Sequence, residues 1–272
     1  MTDIRATLTL TRTLILLLAL SLILLPGAAA GAAPGRSVPI TGPTAGSDEF
    51  DLTKNEFRTE TRFGFVMKTG NSQKETLSGG SYTLYRVRRW ENKWKLYVLF
   101  DRVFDTSGSI DTFIYGIYRV DYYLTDRLSY YIGGGGYTDE VKGIDRSALG
   151  FNGISYFLVR NPKFYLRGSL GYLYSFEDPV APNPNDSIHS AAEELEFSYK
   201  INDHFSIFES ASFYQNVQQD SDLRILSDTE IKAGLTKHFA LVLAFRIRFD
   251  NKPVPGFEKL DTITDASVAV TF

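Results

Sequence analysis

The stretch Asp261-Thr-Ile-Thr-Asp-Ala-Ser-Val-Ala-Val-Thr-Phe272 decides how the rest of the chain is read. Counting back from Phe272, the residues Val270, Val268 and Ala266 are apolar, and those between them, Thr271, Ala269, Ser267 and Asp265, are small or polar. Alternation of period two predicts a half-buried strand, because successive side chains of a pleated strand point to opposite faces. The same reading extends upstream. In one segment Phe239, Leu241, Leu243, Phe245, Ile247 and Phe249 share a face, opposite Ala240, Val242, Ala244, Arg246, Arg248 and Asp250. In another, Ile225, Ser227, Thr229, Ile231 and Ala233 oppose Arg224, Asp228, Glu230 and Lys232. In a third, Phe164, Leu166, Leu170, Tyr172 and Tyr174 oppose Arg167, Ser169, Gly171 and Ser175. The segment from Phe205 to Asn216 is not clean, since Glu209 falls in line with Phe205, Ile207, Ala211 and Phe213, and its faces stay unassigned.

Short polar turns at Glu91-Asn92-Lys93, Thr125-Asp126-Arg127, Asn161-Pro162-Lys163, Asn202-Asp203-His204 and Thr236-Lys237-His238 recur about every 34 to 41 residues, a repeat that points to a regular architecture. Between successive turns lie two alternating segments split by a longer polar loop. Those loops centre on residues 70–75, 105–110, 139–143, 178–187, 218–221 and 251–260. The count is roughly twelve strands, each with the ~9–11 residues that a tilted membrane-spanning strand needs. Short turns at one end and long loops at the other are the asymmetry of outer-membrane barrels, with lipid outside and water inside. A soluble sandwich alternates equally well but buries its aliphatic face. The expected signal peptide, the terminal Phe272, the strand length and the turn asymmetry decide between them. Val268, Val270 and Phe272 resemble the C-terminal signal that the assembly machinery of outer-membrane barrels reads. The fold class expected is therefore all-β, a transmembrane up-and-down antiparallel barrel of about twelve strands over residues 55–272. Aromatics beside the short turns (Trp90, Trp94, Tyr122, Tyr123, Phe157, Phe164, Tyr199, Phe205 and Phe239) are expected to form a girdle at the membrane–water interface.

The N-terminus reads differently. Arg5 and Arg12 precede an apolar run from Thr13 to Leu25, Pro26-Gly27 breaks it, and small residues from Ala28 to Ala33 follow. Residues 1–33 are expected to be a secretory signal peptide cleaved near Ala30 or Ala33, the run being too short by ~7 residues for a membrane helix. Residues 34–54, rich in Gly, Pro, Ser and Thr, are expected to be a flexible periplasmic lead-in. After the N-terminus no apolar run is long enough for a membrane helix. A formal net charge of −3 without any Lys/Arg block gives no footprint for nucleic acid. The absence of Cys excludes disulfides, thiolate metal sites, a Cys nucleophile and a lipidated Cys anchor.

No constellation carries catalysis. His189 is expected in a long loop and His204 and His238 in short turns at the opposite rim, so no metal site is expected, and no cofactor. Gly133-Gly-Gly-Gly136 has no helix after it and is read as a bend, a bulge or room for a large neighbour. Lys68-Thr69-Gly70 lacks the Ser-x-x-Lys that would make it a β-lactamase feature. Glu193, Glu194 and Glu196 are read as a solvated rim at a strand start, though parity also counts the last two among the inward charges. The remaining chemistry is a lumen charge network. Strand parity places Arg58, Glu60, Arg62, Lys68, Arg86, Arg88, Lys95, Asp101, Arg119, Asp121, Arg167, Glu194, Glu196, Lys200, Arg224, Asp228, Glu230, Lys232, Arg246, Arg248 and Asp250 inside. Both signs occur, often two residues apart, which suits ion-pair ladders between neighbouring strands and argues against strong ion selectivity.

Several motifs resemble a known family. Lys68-Thr-Gly-Asn-Ser72 and Thr76-Leu-Ser-Gly-Gly80 look like its first loop and second strand, Asp121-Tyr-Tyr-Leu-Thr-Asp-Arg-Leu128 like its second periplasmic turn, and Gly143-Ile-Asp-Arg146 like the opening of its sixth strand. Asp250-Asn-Lys-Pro-Val-Pro-Gly256 with Lys259 and Asp261-Thr262 matches its last loop. From about Asn55 to Phe272 the chain resembles the salt-induced outer membrane proteins, a family defined by a domain of unknown function. The resemblance implies an outer-membrane β-barrel of a Gram-negative bacterium. It supplies no catalytic residue and no established substrate. Three functions stay open: a structural barrel with a largely closed lumen acting in envelope integrity or osmotic response, a narrow weakly selective channel for small solutes, and a barrel-embedded enzyme. Expected partners are outer-membrane lipid and, during insertion, the barrel-assembly machinery, around a monomer whose two termini are periplasmic. In the last loop Asp250, Pro253, Pro255, Gly256, Lys259 and Asp261 are expected to hold a defined turn. It either folds inward as a lid, with Lys252 or Lys259 on lumen carboxylates, or stands out as a hairpin.

Overall fold

The computed structural model describes residues 52–68, 74–103, 110–139, 144–179, 185–253 and 259–272. The segments expected to be a signal peptide and a flexible lead-in lie outside the described residues, apart from residues 52–54. Twelve strands follow one another: β1 (Glu56–Lys68), β2 (Lys74–Val87), β3 (Trp90–Val103), β4 (Ile110–Tyr123), β5 (Leu128–Asp139) and β6 (Ile144–Arg160). The second half comprises β7 (Phe164–Pro179), β8 (Asp186–Lys200), β9 (Phe205–Asn216), β10 (Leu223–Gly234), β11 (Phe239–Asp250) and β12 (Leu260–Thr271). Each strand pairs antiparallel with its chain neighbours, and β1 pairs with β12, so the sheet closes as a twelve-stranded up-and-down barrel. Closure leaves no strand edge for aggregation.

The short turns share one device. In the β4–β5, β6–β7, β8–β9 and β10–β11 turns a Thr or Asn side chain accepts two backbone N–H groups. Thr125 Oγ1 takes those of Arg127 and Leu128, Asn161 Oδ1 those of Lys163 and Phe164. Asn202 Oδ1 takes those of His204 and Phe205, Thr236 Oγ1 those of His238 and Phe239. Local side chain–backbone bonds of this kind substitute for the ladder where it reverses. The β2–β3 connection differs. It is the two-residue turn Arg88–Arg89, closed by the Val87↔Trp90 pair, with Arg88 at φ 53°. A positive φ is what a two-residue hairpin demands. The turn expected at Glu91-Asn92-Lys93 is thus three residues too late. That tripeptide is strand, with Glu91 and Lys93 buried inward and Asn92 between them outward. The polar run is a row of lumen charges, not a reversal.

The faces follow the alternation. On β11 Phe239, Leu241 and Leu243 are exposed and Ala240, Val242 and Ala244 buried. On β9 the inward residues are Phe208, Ser210, Ser212, Tyr214 and Asn216, so Glu209 points outward with Phe205, Ile207, Ala211 and Phe213. Trp90 and Trp94 lie outside against Tyr122 and Tyr118, with ring centroids 4.7 and 5.1 Å apart. Two aromatics expected in the girdle face inward instead: Tyr123 and Phe157 are buried. Phe157 keeps the inward parity of Phe151 and Ser155, and the register shift beyond it, between Phe157 and Val159, leaves both Leu158 and Val159 exposed. A bulge adds one residue to a strand and re-aims its neighbours.

Part of the interior is filled by large side chains. Leu99, Phe113, Tyr115, Ile117, Tyr131 and Phe151 belong to one buried cluster on the inner wall that reaches to Leu226 of β10. The glycines of β5–β7 make room for it. A Cβ at Gly133 would lie 2.4 Å from the Phe151 ring, and one at Gly171 would lie 2.3 Å from the Tyr131 hydroxyl. Of the three sequence readings of Gly133–Gly136, room for a large neighbour is the one that holds at Gly133.

A charged lumen as the candidate functional site

Inward charges form connected networks. One starts on β1, where the Glu56 carboxylate meets Arg86 of β2, and Arg86 also donates to Glu91 of β3 at 3.3 Å. Lys93 bridges Glu91 (2.7 Å) and Asp121 of β4 (3.3 Å). Asp121 takes two bonds from Arg119, at 2.9 and 2.7 Å, and Arg119 donates to Ser155 of β6. Ser155 and Ser169 of β7 share a hydrogen bond, and beside Ser169 on the inner wall Arg167 pairs with Glu196 of β8 at 2.5 Å. Arg119 is 1% exposed and Glu196 0%. Arg119 also stacks its guanidinium 3.9 Å from the Tyr131 ring centroid, a cation–π contact that desolvation strengthens.

A second network joins strands that are not neighbours. Arg62 of β1 donates to Glu60 at 2.7 Å and bidentately to Glu230 of β10 at 2.8 and 3.0 Å, while Lys232 of β10 reaches Glu60 at 2.5 Å. Strands β11 and β12 stand between β1 and β10. Their inner faces at this level carry Ala240, Val242, Ala244, Ser267 and Ala269, small enough for the longer side chains to meet above them. A third network holds Asp228 between Arg246 (3.6 Å) and Arg248 (2.9 Å), with Asp265 on Arg246 at 3.4 Å. Arg246 lies 5.4 Å from the ring centroid of Tyr97, which stands on β3 across the lumen. At the loop end Arg224 pairs with Glu177 of β7 (2.7 Å) and Asp250 (3.4 Å), and Tyr137 donates to Glu177 at 2.8 Å. Arg119 of β4 approaches Glu194 of β8 at 3.8 Å. The lumen is therefore spanned at several levels by side chains from strands that are not neighbours.

Most residues that parity places inside are found in these contacts. Arg58 and Lys95 also face inward, Lys95 with its ammonium 5.9 Å from the Tyr115 ring centroid. Lys200 faces Asp203 at 3.3 Å near the short-turn rim. Arg88 is not inside: it is exposed in the β2–β3 turn, because β2 ends at Val87. The side chains of Lys68, Asp101 and Asp261, and Pro255 and Gly256 altogether, lie outside the described residues. Glu194 and Glu196 are lumen residues rather than a solvated rim, since β8 starts earlier than expected, at Asp186. For the same reason His189 lies within β8 and not in a loop; its Nδ1 shares a hydrogen bond with the Tyr172 hydroxyl. In the last loop, Lys259 Nζ donates to Asn251 at 3.2 Å and Lys252 is exposed, while Asp250 is taken by Arg224. Among the described residues neither lysine fastens a lid to a lumen carboxylate.

Sequence reasoning missed Glu91, Lys93, Glu177, Asp222 and Asp265, all buried. Parity counted from Trp90 along β3 would have found the first two. It also left Glu209 unassigned. On the outer wall, this carboxyl accepts hydrogen bonds from Ser227 (2.7 Å) and Thr229 of β10.

A family model described as protein of unknown function, DUF481, matches residues 61–272. A search of curated proteins found no match. Among solved structures, one described as a NanC porin aligns with a TM-score of 0.50 at 8% identity, covering 78% of this chain and 98% of that one. OmpT of Vibrio cholerae, described as outer-membrane expressed, aligns with a TM-score of 0.40 at 7% identity, covering 82% and 99%. An anion-selective porin from Comamonas acidovorans aligns at 0.39 and 10%, covering 80% and 99%. At these identities the likeness is one of fold, and that fold is the outer-membrane β-barrel.

Proposed function

We propose that this chain, which belongs to the DUF481 family of proteins of unknown function, is a closed structural barrel of a Gram-negative outer membrane, acting in envelope integrity or the response to salt and osmotic stress. The observation that carries this reading is the bridged lumen. Arg86, Arg119 and Arg167 are fully buried, and their partners come from several strands of the wall. A conducting pore needs a continuous water path. A barrel of twelve strands falls between filled barrels of about eight and open ones of sixteen or more, and here side chains supply the filling. The short-turn end with both termini faces the periplasm, the barrel is a monomer in lipid, and no residue is assigned a catalytic role. Purified full-length protein in planar bilayers is expected to give no single-channel steps. Steps well above baseline would instead establish the second reading, a narrow channel, which the cavity at one end favours.

The assembly machinery is the partner expected during insertion. Phe272 exchanges backbone hydrogen bonds with Thr59 of β1, at 3.1 and 2.9 Å, and projects its ring outward. Deleting Phe272 is expected to remove the protein from outer-membrane fractions and leave it to periplasmic degradation. An unchanged membrane yield would overturn the role of Val268, Val270 and Phe272 as an assembly signal.

A further inference from the structure

The short-turn end of the barrel opens into a cavity of about 360 Å³. It lies between the β6–β7, β8–β9 and β10–β11 turns and the inner faces of β1 and β2. That volume matches about a dozen waters, the size of a small solute. Six basic side chains line it, Arg58, Arg62, Lys163, Lys200, Lys232 and Lys237, against three carboxylates, Glu60, Asp203 and Glu230. The charges are not evenly placed. Glu60 and Glu230 sit deep and are held by Arg62 and Lys232, a salt-bridged group that closes the inner end. Asp203 stands at the rim, highly exposed, beside Lys200. Lys163 and Lys237 stand exposed on two different turns and line the same mouth. Ser198 and Ser206 add hydroxyls on the wall. A recess with one sign of charge in excess and low-dielectric walls concentrates the opposite ion.

We propose that this vestibule is a blind binding site for an oxyanion, a phosphate- or carboxylate-bearing group that enters and leaves by the short-turn end. Lys163 and Lys237 draw it in, the wall hydroxyls donate to it, and the Glu60–Arg62–Glu230–Lys232 group stops it from passing further. That the site is blind rests on the closed-lumen reading, whereas binding itself does not, so bilayer recordings and binding measurements fail independently. Phosphate can arrive as a free solute or as a lipid headgroup at the rim, and basic residues at a membrane surface attract both.

The test is calorimetric titration of the full-length barrel, in a non-ionic detergent without phospholipid, with inorganic phosphate and with acetate. Saturable binding is expected. The double variant Lys163→Gln/Lys237→Gln should weaken it by at least about threefold, the scale of exposed charge pairs. Asp203→Asn should tighten it, and Arg127→Gln, an exposed turn cation outside the cavity, should leave it unchanged. All four positions are exposed, so the barrel itself is preserved. Repeating the titration in nanodiscs separates the sources. Phosphate binding lost in phosphatidylglycerol discs but kept in phosphatidylcholine discs assigns the site to a headgroup, and binding kept in both assigns it to a free solute. No saturable binding, or equal weakening by Arg127→Gln, would overturn the site and leave only diffuse surface charge.

Discussion

Two carboxylates thirteen residues apart meet opposite surroundings. Glu196 of β8 points into the lumen and is fully buried, and Arg167 holds it at 2.5 Å. Glu209 of β9 points outward and, among the described residues, is met by the hydroxyls of Ser227 and Thr229. Both groups are withdrawn from bulk water, yet one is matched by a cation and the other by neutral donors. A buried charge costs several kcal/mol unless an opposite charge and further hydrogen bonds offset it. On a lipid-facing wall no counter-ion is at hand, so the wall offers hydroxyls instead. The comparison teaches that the inner wall tolerates charge through mutual pairing, whereas the outer wall tolerates a carboxyl only where the adjoining strand supplies donors at matching positions.

Removing one partner inside should have the largest effect. Arg167→Met leaves Glu196 buried without its cation and is expected to destabilise the refolded barrel by about 3–5 kcal/mol. Urea unfolding in lipid vesicles measures it. A loss below about 1 kcal/mol, the scale of an exposed pair, would mean that water fills the lumen and screens the charges. The next effect tests the outer wall. Leu243 of β11 lies outward near mid-strand, and Leu243→Arg is expected to cost about 2–4 kcal/mol by the same measurement. A neutral outcome there would place that face in water and break the distinction between the walls. The smallest effect sharpens it. Glu209→Gln keeps one acceptor oxygen and turns the other into an amide donor that a Ser227 or Thr229 hydroxyl oxygen can accept, while removing the ionisable group, and is expected to raise stability by up to about 1 kcal/mol. Destabilisation by this substitution would show that an ionised Glu209 engages a cation on the outer surface.

Much of this was legible in the chain. Alternation gave the faces of β10 and β11, because a charge displaced by one residue would enter lipid, and so Arg246, Arg248 and Asp250 keep strict parity. The four turns built on Thr125, Asn161, Asn202 and Thr236 announced themselves through residues that bond their own backbone. The β2–β3 turn did not. Arg88–Arg89 carries no Gly, Asn or Asp, and the lumen charges Glu91 and Lys93 looked more like a reversal. Inward aromatics such as Tyr131 and Phe151 have the same composition as a girdle residue, and only the glycines against them hinted at their place. Which charges meet across the interior was invisible, since the pairing of Arg62 with Glu230 or Arg224 with Glu177 depends on strand stagger around the closed sheet.

The seam where the sheet closes has a kinetic consequence. Strands β11 and β12 are in register from Phe239↔Val270 to Phe249↔Leu260, but β1 and β12 only from Glu60↔Thr271 to Gly64↔Ser267. Beyond Gly64, β1 follows β2 alone, up to Lys68↔Lys74. A barrel zipped along its full height elsewhere but only part-way at this one junction has a predetermined tear line. Mechanical pulling or thermal agitation should part it there first, peeling β1 from the loop end downward, and the five rungs next to the terminal phenylalanine are the last to let go.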